Sequence, residues 1–320
     1  MSHVRWLVAT TAGLIGVAAL AGWGAVRAYR APGPLAVPTV LVVSRGTTDE
    51  VADALARAGI IRHRLVFRIA TYATIAEGPI HAAELSFPAR ASVATVLNVL
   101  RFGRPVQHLV TFPEGVTAAQ ISDILVRAEG LTGDIAVPPE GAVLPDTYAY
   151  TRGTARSAII ARGEQAMRRL LATSWPDRAA GLPLRTPRQA LILASIVERE
   201  AKLPAERAMI ARVFLNRLGM HMKLQADPTA LYGASGGAGT LDRALVRADL
   251  ERADPYNTYT TDALPEGPIC SPGAASIAAV LHPAAGDALY FVADGTGGHV
   301  FTASLAAHNQ NVARYRTERR

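Results

Sequence analysis

Hydrophobic and polar positions divide this chain into a charge-free opening run and a long region where two periodicities alternate. Trp6 to Val26 is 21 residues without a charge, bounded by Arg5 on one side and by Arg27 and Arg30 on the other. At about 1.5 Å per helical residue, that run is long enough to cross a bilayer as one helix. Trp6, Trp23 and Tyr29 stand near its ends, where interfacial aromatics sit. The competing reading is a cleaved signal peptide, because Ala19-Leu20-Ala21 resembles a cleavage site, although the apolar run is longer than such a peptide needs. Positive charges flank both ends and leave the orientation open. No second span is visible, and Ala31 to Pro34, with Pro38, reads as a short stiff tether.

Past the tether, short strands and capped amphipathic helices follow one another. Val40–Val43 reads as a strand, and Thr47-x-x-Glu50 is a capping box opening a helix through Ala58 that Gly59 closes. A helix over Arg64–Ala73, a strand over Ala83–Phe87 and a Ser92-capped helix over Val93–Leu100 complete a small α/β unit, residues 39–105. It has no paired carboxylates, metal spacing or nucleophile–base pattern, so its default role is binding or spacing. A similar strand, turn and capped helix recur at Val106–Phe112, Pro113-Glu114-Gly115 and Thr117-x-x-Gln120 through Ala128, a weak echo of the first. Leu144 to Tyr148 reads as a rigid loop, and Arg156–Thr173 as a covering helix.

The most informative stretch begins at Thr186. Thr186 is a fitting N-cap, Pro187 suits the first helical position and Gln189 completes a capping box. Ala190 to Val197 is apolar all round except for Ser195, which predicts a helix sunk in a core. It ends in Glu198, Arg199 and Glu200. Positions two apart on a helix diverge by about 200°, so the two carboxylates cannot share a face. One is expected to meet solvent or Arg199. The other lies where a buried helix end opens to a cleft, and burial there would raise its pKa and make it a proton donor. The bland alternative is a solvated terminus or an ion-pair partner.

A second helix is expected from near Pro204, with Glu206 in its first turn, to Gly219, followed by the polar cluster Gln225 to Thr229. Gly233–Gly239 reads as a flexible loop. Asp254 to Tyr259 is dense in hydrogen-bonding side chains on short stems, suited to sugar hydroxyls or to a structural turn. Leu264–Gly273 is a proline- and glycine-fixed irregular segment. Ser276–Leu281 reads as a helix, Leu289–Val292 and His299–Phe301 as a hairpin, and a final helix carries His308 and Asn309. His282, His299 and His308 lack zinc-like spacing, and each reads as a hydrogen-bonded structural histidine.

Composition narrows the classes. A chain of 320 residues, 50% hydrophobic and 18% charged, has room for two domains and a good core. The net charge of +7 suits anionic surroundings, yet no dense basic run is interleaved with aromatics, which argues against nucleic acid. Cys270 is the single cysteine, so no internal disulfide forms.

Together these segments resemble the MltG (YceG-like) family of membrane-anchored endolytic peptidoglycan transglycosylases. The resemblance rests on LASIVERE (residues 193–200) with Arg207 and Asn216-Arg217-Leu218, then LQADPT, PYNTY, LPEGPICSPG, HP, YFVADGTGGHVF and HN, in order over about residues 106–312. Upstream, FPEGVT and LPDTY also fit. Residues 39–105 are similar to the family's LysM-like portion, without its glycine-tyrosine signature at Ala82-Ala83. Residue 226 is alanine where the family has threonine.

The resemblance implies an α+β chain with a single N-terminal transmembrane helix, a small LysM-like α/β unit and a larger mixed α+β catalytic domain. The corresponding expected boundaries are a cytoplasmic tail at 1–5, an anchor at 6–26, a linker at 27–38, the LysM-like unit at 39–105 and the catalytic domain at 106–320. It implies a lyase that cuts nascent glycan strands at the MurNAc–GlcNAc bond, on the outer side of the cytoplasmic membrane. Glu200 is the implied catalytic acid, and no metal or organic cofactor is implied. Gln225, Asp227, Tyr256 and Asn257 are expected to hydrogen-bond the sugar, with support of the Glu200 loop as their alternative role. Glu200 would serve as acid and then as base, closing the muramic C6 hydroxyl onto C1. Asp227 as a second carboxylate would point instead to hydrolysis by a muramidase. A non-catalytic glycan-binding scaffold is the reading from another class. Expected partners are peptidoglycan strands and the membrane, with peptidoglycan synthases as candidates.

Overall fold

The computed structural model describes residues 16, 17 and 19–318. Residues 19–30 form a helix, α1, and Arg27 lies over the Trp23 ring at 5.3 Å. Residues 6–15 and 18 of the span expected over residues 6–26 lie outside the described residues. Among those described, no helix is long and apolar enough to cross a membrane. The chain divides into two compact units, residues 1–108 and 109–320.

The first unit is built on an antiparallel pair, β1 (Thr39–Val43) and β2 (Ala83–Phe87), in a register that sets Leu41 against Leu85. Three helices cover it: α2 (Thr48–Arg57), α3 (Arg64–Ala73) and α4 (Val93–Phe102). The Thr47–Glu50 capping box forms in both directions, with Glu50 N–H to Thr47 Oγ1 at 3.3 Å and Thr47 N–H to Glu50 Oε2 at 2.7 Å. Gly59 closes α2 at φ 67°, a left-handed conformation that a side chain would strain. Leu55, Ile60, Phe67, Leu85, Phe87, Val96 and Leu100 form the core.

The second unit is mixed α+β with small two-stranded sheets. β3 (His108–Thr111) pairs with β4 (Thr147–Tyr150), backed by α5 (Ala118–Arg127) and α6 (Arg156–Ser174). β4 corrects the expectation of a loop through Tyr148. That side chain is buried against Phe112, and its hydroxyl donates to the Leu144 carbonyl. The main core gathers α7 (Pro187–Glu200), α8 (Arg207–Gly219) and α11 (Ala274–Leu281). Between them run α9 (Asp227–Ala234) and the short α10 (Arg247–Glu251). A hairpin, β5 (Tyr290–Ala293) and β6 (His299–Thr302), and α12 (Leu305–Glu318) close the unit. The helix α9 was not expected from sequence, where Gln225 to Thr229 reads as a polar cluster and Gly233–Gly239 as a flexible loop.

Helix α7 is the axis of this unit. Ala190 to Val197 are all buried, as the unbroken apolar run demands. Burying each large aliphatic side chain contributes about 1.5–3 kcal/mol. Thr186 caps the helix by accepting from Gln189 N–H, but the box is incomplete: Gln189 turns its oxygen to the Arg185 N–H instead. The one polar residue inside, Ser195, donates to the Ile192 carbonyl at 2.7 Å and accepts from Ile269 N–H at 3.0 Å. Cys270 Sγ donates to the Ser195 carbonyl. Through these bonds the rigid segment 264–273 is laid along α7.

Candidate active site

The last turn of α7 carries its two glutamates into different surroundings. Glu198 is enclosed, with its side chain 6% exposed. One oxygen pairs with Arg207 Nη2 at 3.3 Å, and the other accepts from the Gly273 N–H at the start of α11, at 2.9 Å. That N-terminus carries partial positive charge, which suits a carboxylate. Arg207 also reaches Glu114 at 3.4 Å. Gly273 is needed for close approach: a Cβ there would stand 1.8 Å from Glu114 Oε1. Arg199 donates to the carbonyls of Gly115 and Gly239, so of the two surroundings expected for one glutamate, solvent or Arg199, the Arg199 pairing does not form among the described residues. Glu198 meets the Gly273 N–H because the backbone of segment 264–273, tied to Ser195, brings the start of α11 across its face, while Arg207 reaches it from the start of α8.

Glu200 is the opposite case. It is half-buried, and none of the described residues donates a hydrogen bond to its carboxyl or forms an ion pair with it. Burial pushes the carboxyl up to about 7, and the charge of Asp227 adds to the effect; His299 and Lys202 oppose it. A carboxyl that holds its proton near neutral pH, exposed enough to be reached, is suited to general acid catalysis.

The other expected residues divide. Gln225 and Asp227 flank the buried Ala226 and are exposed. Gln225 takes a left-handed φ of 52°, uncommon for a residue with a side chain, and its N–H donates to the Thr258 carbonyl at 3.1 Å. Ala226 N–H donates to Thr258 Oγ1, which also pairs with Thr229 Oγ1 at 2.8 Å. These bonds stitch the 225–229 turn to the 254–259 loop and bring Asp227 into the electrostatic reach of Glu200. Asp227 accepts a 2.5 Å hydrogen bond from the Tyr259 hydroxyl.

Asn257 and Tyr256 stand elsewhere. Asn257 is 1% exposed, and its amide donates to the carbonyls of Asp249, Leu250 and Arg252 while its oxygen accepts from Tyr259 N–H. Its hydrogen-bonding groups are engaged inside the loop, the geometry of the alternative role as a support. Tyr256 packs on Tyr232 with centroids 4.8 Å apart, and its hydroxyl lies by Gly267 and Arg188. Positions 188 and 200 are at opposite ends of α7, about 18 Å along its axis, so Tyr256 is not gathered around Glu200.

One side chain and one ion pair escaped the reading of the sequence. Tyr259, the second tyrosine of PYNTY, holds Asp227; only the alternating side-chain chemistry of that motif hinted at it. Glu206 and His299 are 93 positions apart in sequence and pair at 2.7 Å, which no local pattern reveals. Among the described residues, no group of histidine, cysteine and acidic side chains is arranged to hold a metal ion.

A mixed α+β domain with a donor-free, proton-retaining carboxyl at the end of a buried helix has the make-up of a general-acid site. The chain belongs to the YceG-like family, whose sequence profile matches residues 40–314. Over 125 residues it is 46% identical to an endolytic murein transglycosylase of Bacillus subtilis, covering 39% of this chain and 34% of that protein. It is 28% identical over 324 aligned positions to the endolytic murein transglycosylase of Streptococcus pneumoniae, covering 87% of this chain and 58% of that one. The crystal structure of a yceG-like protein from Listeria monocytogenes matches with a TM-score of 0.51 and 26% identity, over 85% of this chain and 98% of that one. The chain thus spans 34% and 58% of the lengths of these two curated relatives.

Proposed function

We propose that this protein is an endolytic murein transglycosylase that cuts the MurNAc–GlcNAc bond within peptidoglycan strands and leaves 1,6-anhydroMurNAc ends. The observation that carries the reading is Glu200: a half-buried carboxyl, raised to about 7, with no hydrogen-bond donor among the described residues, in the segment LASIVERE. Protonated Glu200 gives its proton to the glycosidic oxygen as the bond to C1 breaks. The muramic C6 oxygen then bonds to C1, and its proton returns to the site, so no water is consumed. Ordinary glycosidases need two carboxylates for acid and for base or nucleophile. Here Asp227 is the nearest second candidate, but it is exposed and held by the Tyr259 hydroxyl. Asp227 keeps Glu200 protonated and, with Gln225, lines the approach for the sugar.

The localisation belongs to the same proposal. The charge-free run Trp6–Val26 anchors the chain in the cytoplasmic membrane as a single pass, with residues 39–320 on the outer side, where nascent glycan strands lie. Residues 39–105 act as the LysM-like unit, and peptidoglycan synthases are the proposed protein partners.

The test is mass spectrometry of products from uncrosslinked glycan strands incubated with the protein and with Glu200→Gln. Ends lighter than a hydrolysis product by one water, absent with the variant, are expected. Water-added ends would make it a muramidase. Binding without cleavage by either protein would make it a scaffold.

A further inference from the structure

A second built pair of ionisable groups is anchored in the turn that follows the candidate acid at the end of α7, and takes no part in the mechanism above. Glu206 sits in the turn Pro204–Glu206 between α7 and α8. One of its oxygens accepts from the backbone N–H of His299 and the other meets His299 Nδ1, each at 2.7 Å. Their side chains are 16% and 12% exposed, so the pair is largely withdrawn from water. Gly298 permits this fit: a Cβ there would stand 2.8 Å from Glu206 Oε1 and 3.0 Å from Asp294 Oδ2. Phe291 meets the imidazole edge to face, with centroids 5.3 Å apart.

Two contacts to one carboxylate and an aromatic wall hold the ring in one orientation. Nδ1 is committed, while Nε2 has no partner among the described residues and is not sealed from solvent. A carboxylate-oriented imidazole with one free nitrogen is how proteins build a general base. The ring's charge acts on Glu200, where it opposes the effects of burial and Asp227. The groups facing Glu200 are thus Asp227, Tyr259, Lys202 and His299. Those facing His299 are Glu206 and Glu200, with Asp294 behind Gly298.

We propose that His299, held by Glu206, is a further acid–base residue of the Glu200 cleft, taking through Nε2 the proton released when the muramic C6 oxygen bonds to C1. The inference rests on the transglycosylase reading and divides its proton traffic. Glu200 loses its proton to the leaving oxygen as the C1–O bond breaks. His299 gains the proton of the C6 hydroxyl as the new C6–O–C1 bond forms. Transfer from imidazolium to the Glu200 carboxylate then resets both groups, with no water or co-reactant used. His299 is a catalytic residue in this scheme, and Glu206 is a positioning residue that acts through it.

The experiment follows anhydro ends formed from uncrosslinked glycan strands by the full-length chain, from about pH 5 to pH 9, for wild type, His299→Gln and Glu206→Gln. The wild-type profile is expected to have an alkaline limb, where Glu200 loses its proton. His299→Gln should lower kcat by about 10²-fold or more, with KM little changed. Glu206→Gln should cost less, again in kcat rather than KM, because the imidazole loses its fixed carboxylate partner. A purely structural role would lower the melting temperature and leave kcat of the folded fraction unchanged. If His299→Gln does not fold, the kcat of Glu206→Gln decides alone. Near-wild-type kcat in the folded fraction of either variant overturns the inference while leaving the transglycosylase reading intact. A wild-type protein that makes no anhydro ends overturns both.

Discussion

The two faces of the last turn of α7 carry the same side chain to opposite ends. On one face Glu198 has an arginine, a helix N-terminus and little water; on the other Glu200 has no donor among the described residues and feels the charge of Asp227. The first arrangement stabilises a carboxylate, and the second penalises it. A shared helix end therefore separates the two by direction alone: the residue whose charge is satisfied holds the loops together, and the one left wanting is the proposed proton donor.

The largest break in this comparison is Glu200→Gln, expected to lower anhydro-end formation by about 10³–10⁴-fold in a protein that still folds, read by mass spectrometry and a melting curve. A residual rate within tenfold of wild type would remove Glu200 from the chemistry. Next, Glu198→Ala leaves Arg207 largely enclosed without its inner partner. It should destabilise the unit by about 3 kcal/mol in denaturant unfolding, while the folded fraction keeps a rate within about tenfold of wild type. Equal losses of chemistry in both variants would erase the distinction between the two faces.

The pH dependence of stability sharpens it further. The fold favours protonated Glu200, whose carboxyl stands at about 7 against an ordinary 4.5. Its contribution is fully present below about pH 4.5 and is lost as pH rises through 7. Glu200→Gln cannot ionise, so it should be more stable than wild type by about 2 kcal/mol at pH 8–9, after discounting for partial exposure, and this gain should vanish near pH 4. Melting curves at the two pH values would refute this if the difference were flat or reversed.

Asn257→Ala tests the loop beneath. Three carbonyls lose their donor, and a cost of about 1–2 kcal/mol is expected in unfolding, with KM for glycan strands unchanged. A raised KM with full stability would return Asn257 to the sugar. The smallest effect is expected from Asp227→Asn. Removing that charge should move the alkaline limb of activity to lower pH by less than about one unit and leave the anhydro product unchanged. Products that lose their water-added fraction in this variant would instead mark Asp227 as a hydrolytic base.

Much of the architecture was legible because local signals carry it. The caps at Thr47, Ser92, Thr117 and Thr186 each accept the expected backbone N–H, since a capping side chain needs only its next three residues. The period of α6 and the unbroken apolar run of α7 likewise predicted one covering and one buried helix. The strand at Thr147–Tyr150 and the helix at Asp227–Ala234 were missed because both are short. Their stability comes from partners distant in sequence, Phe112 against Tyr148 and Thr258 against Thr229.

At the candidate site the division is sharper. The sequence by itself determined that two carboxylates end a buried helix, that they must diverge, and that polar segments at 225–229 and 254–259 come with them. Only the tertiary structure decided which carboxylate is paired with Arg207, that Asn257 is spent within its loop, that Tyr259 rather than Tyr256 stands by Asp227, and that Glu206 holds His299. The physical reason is range. Helix period and capping are written in neighbouring residues, whereas desolvation and charge pairing depend on which distant segments arrive at each face.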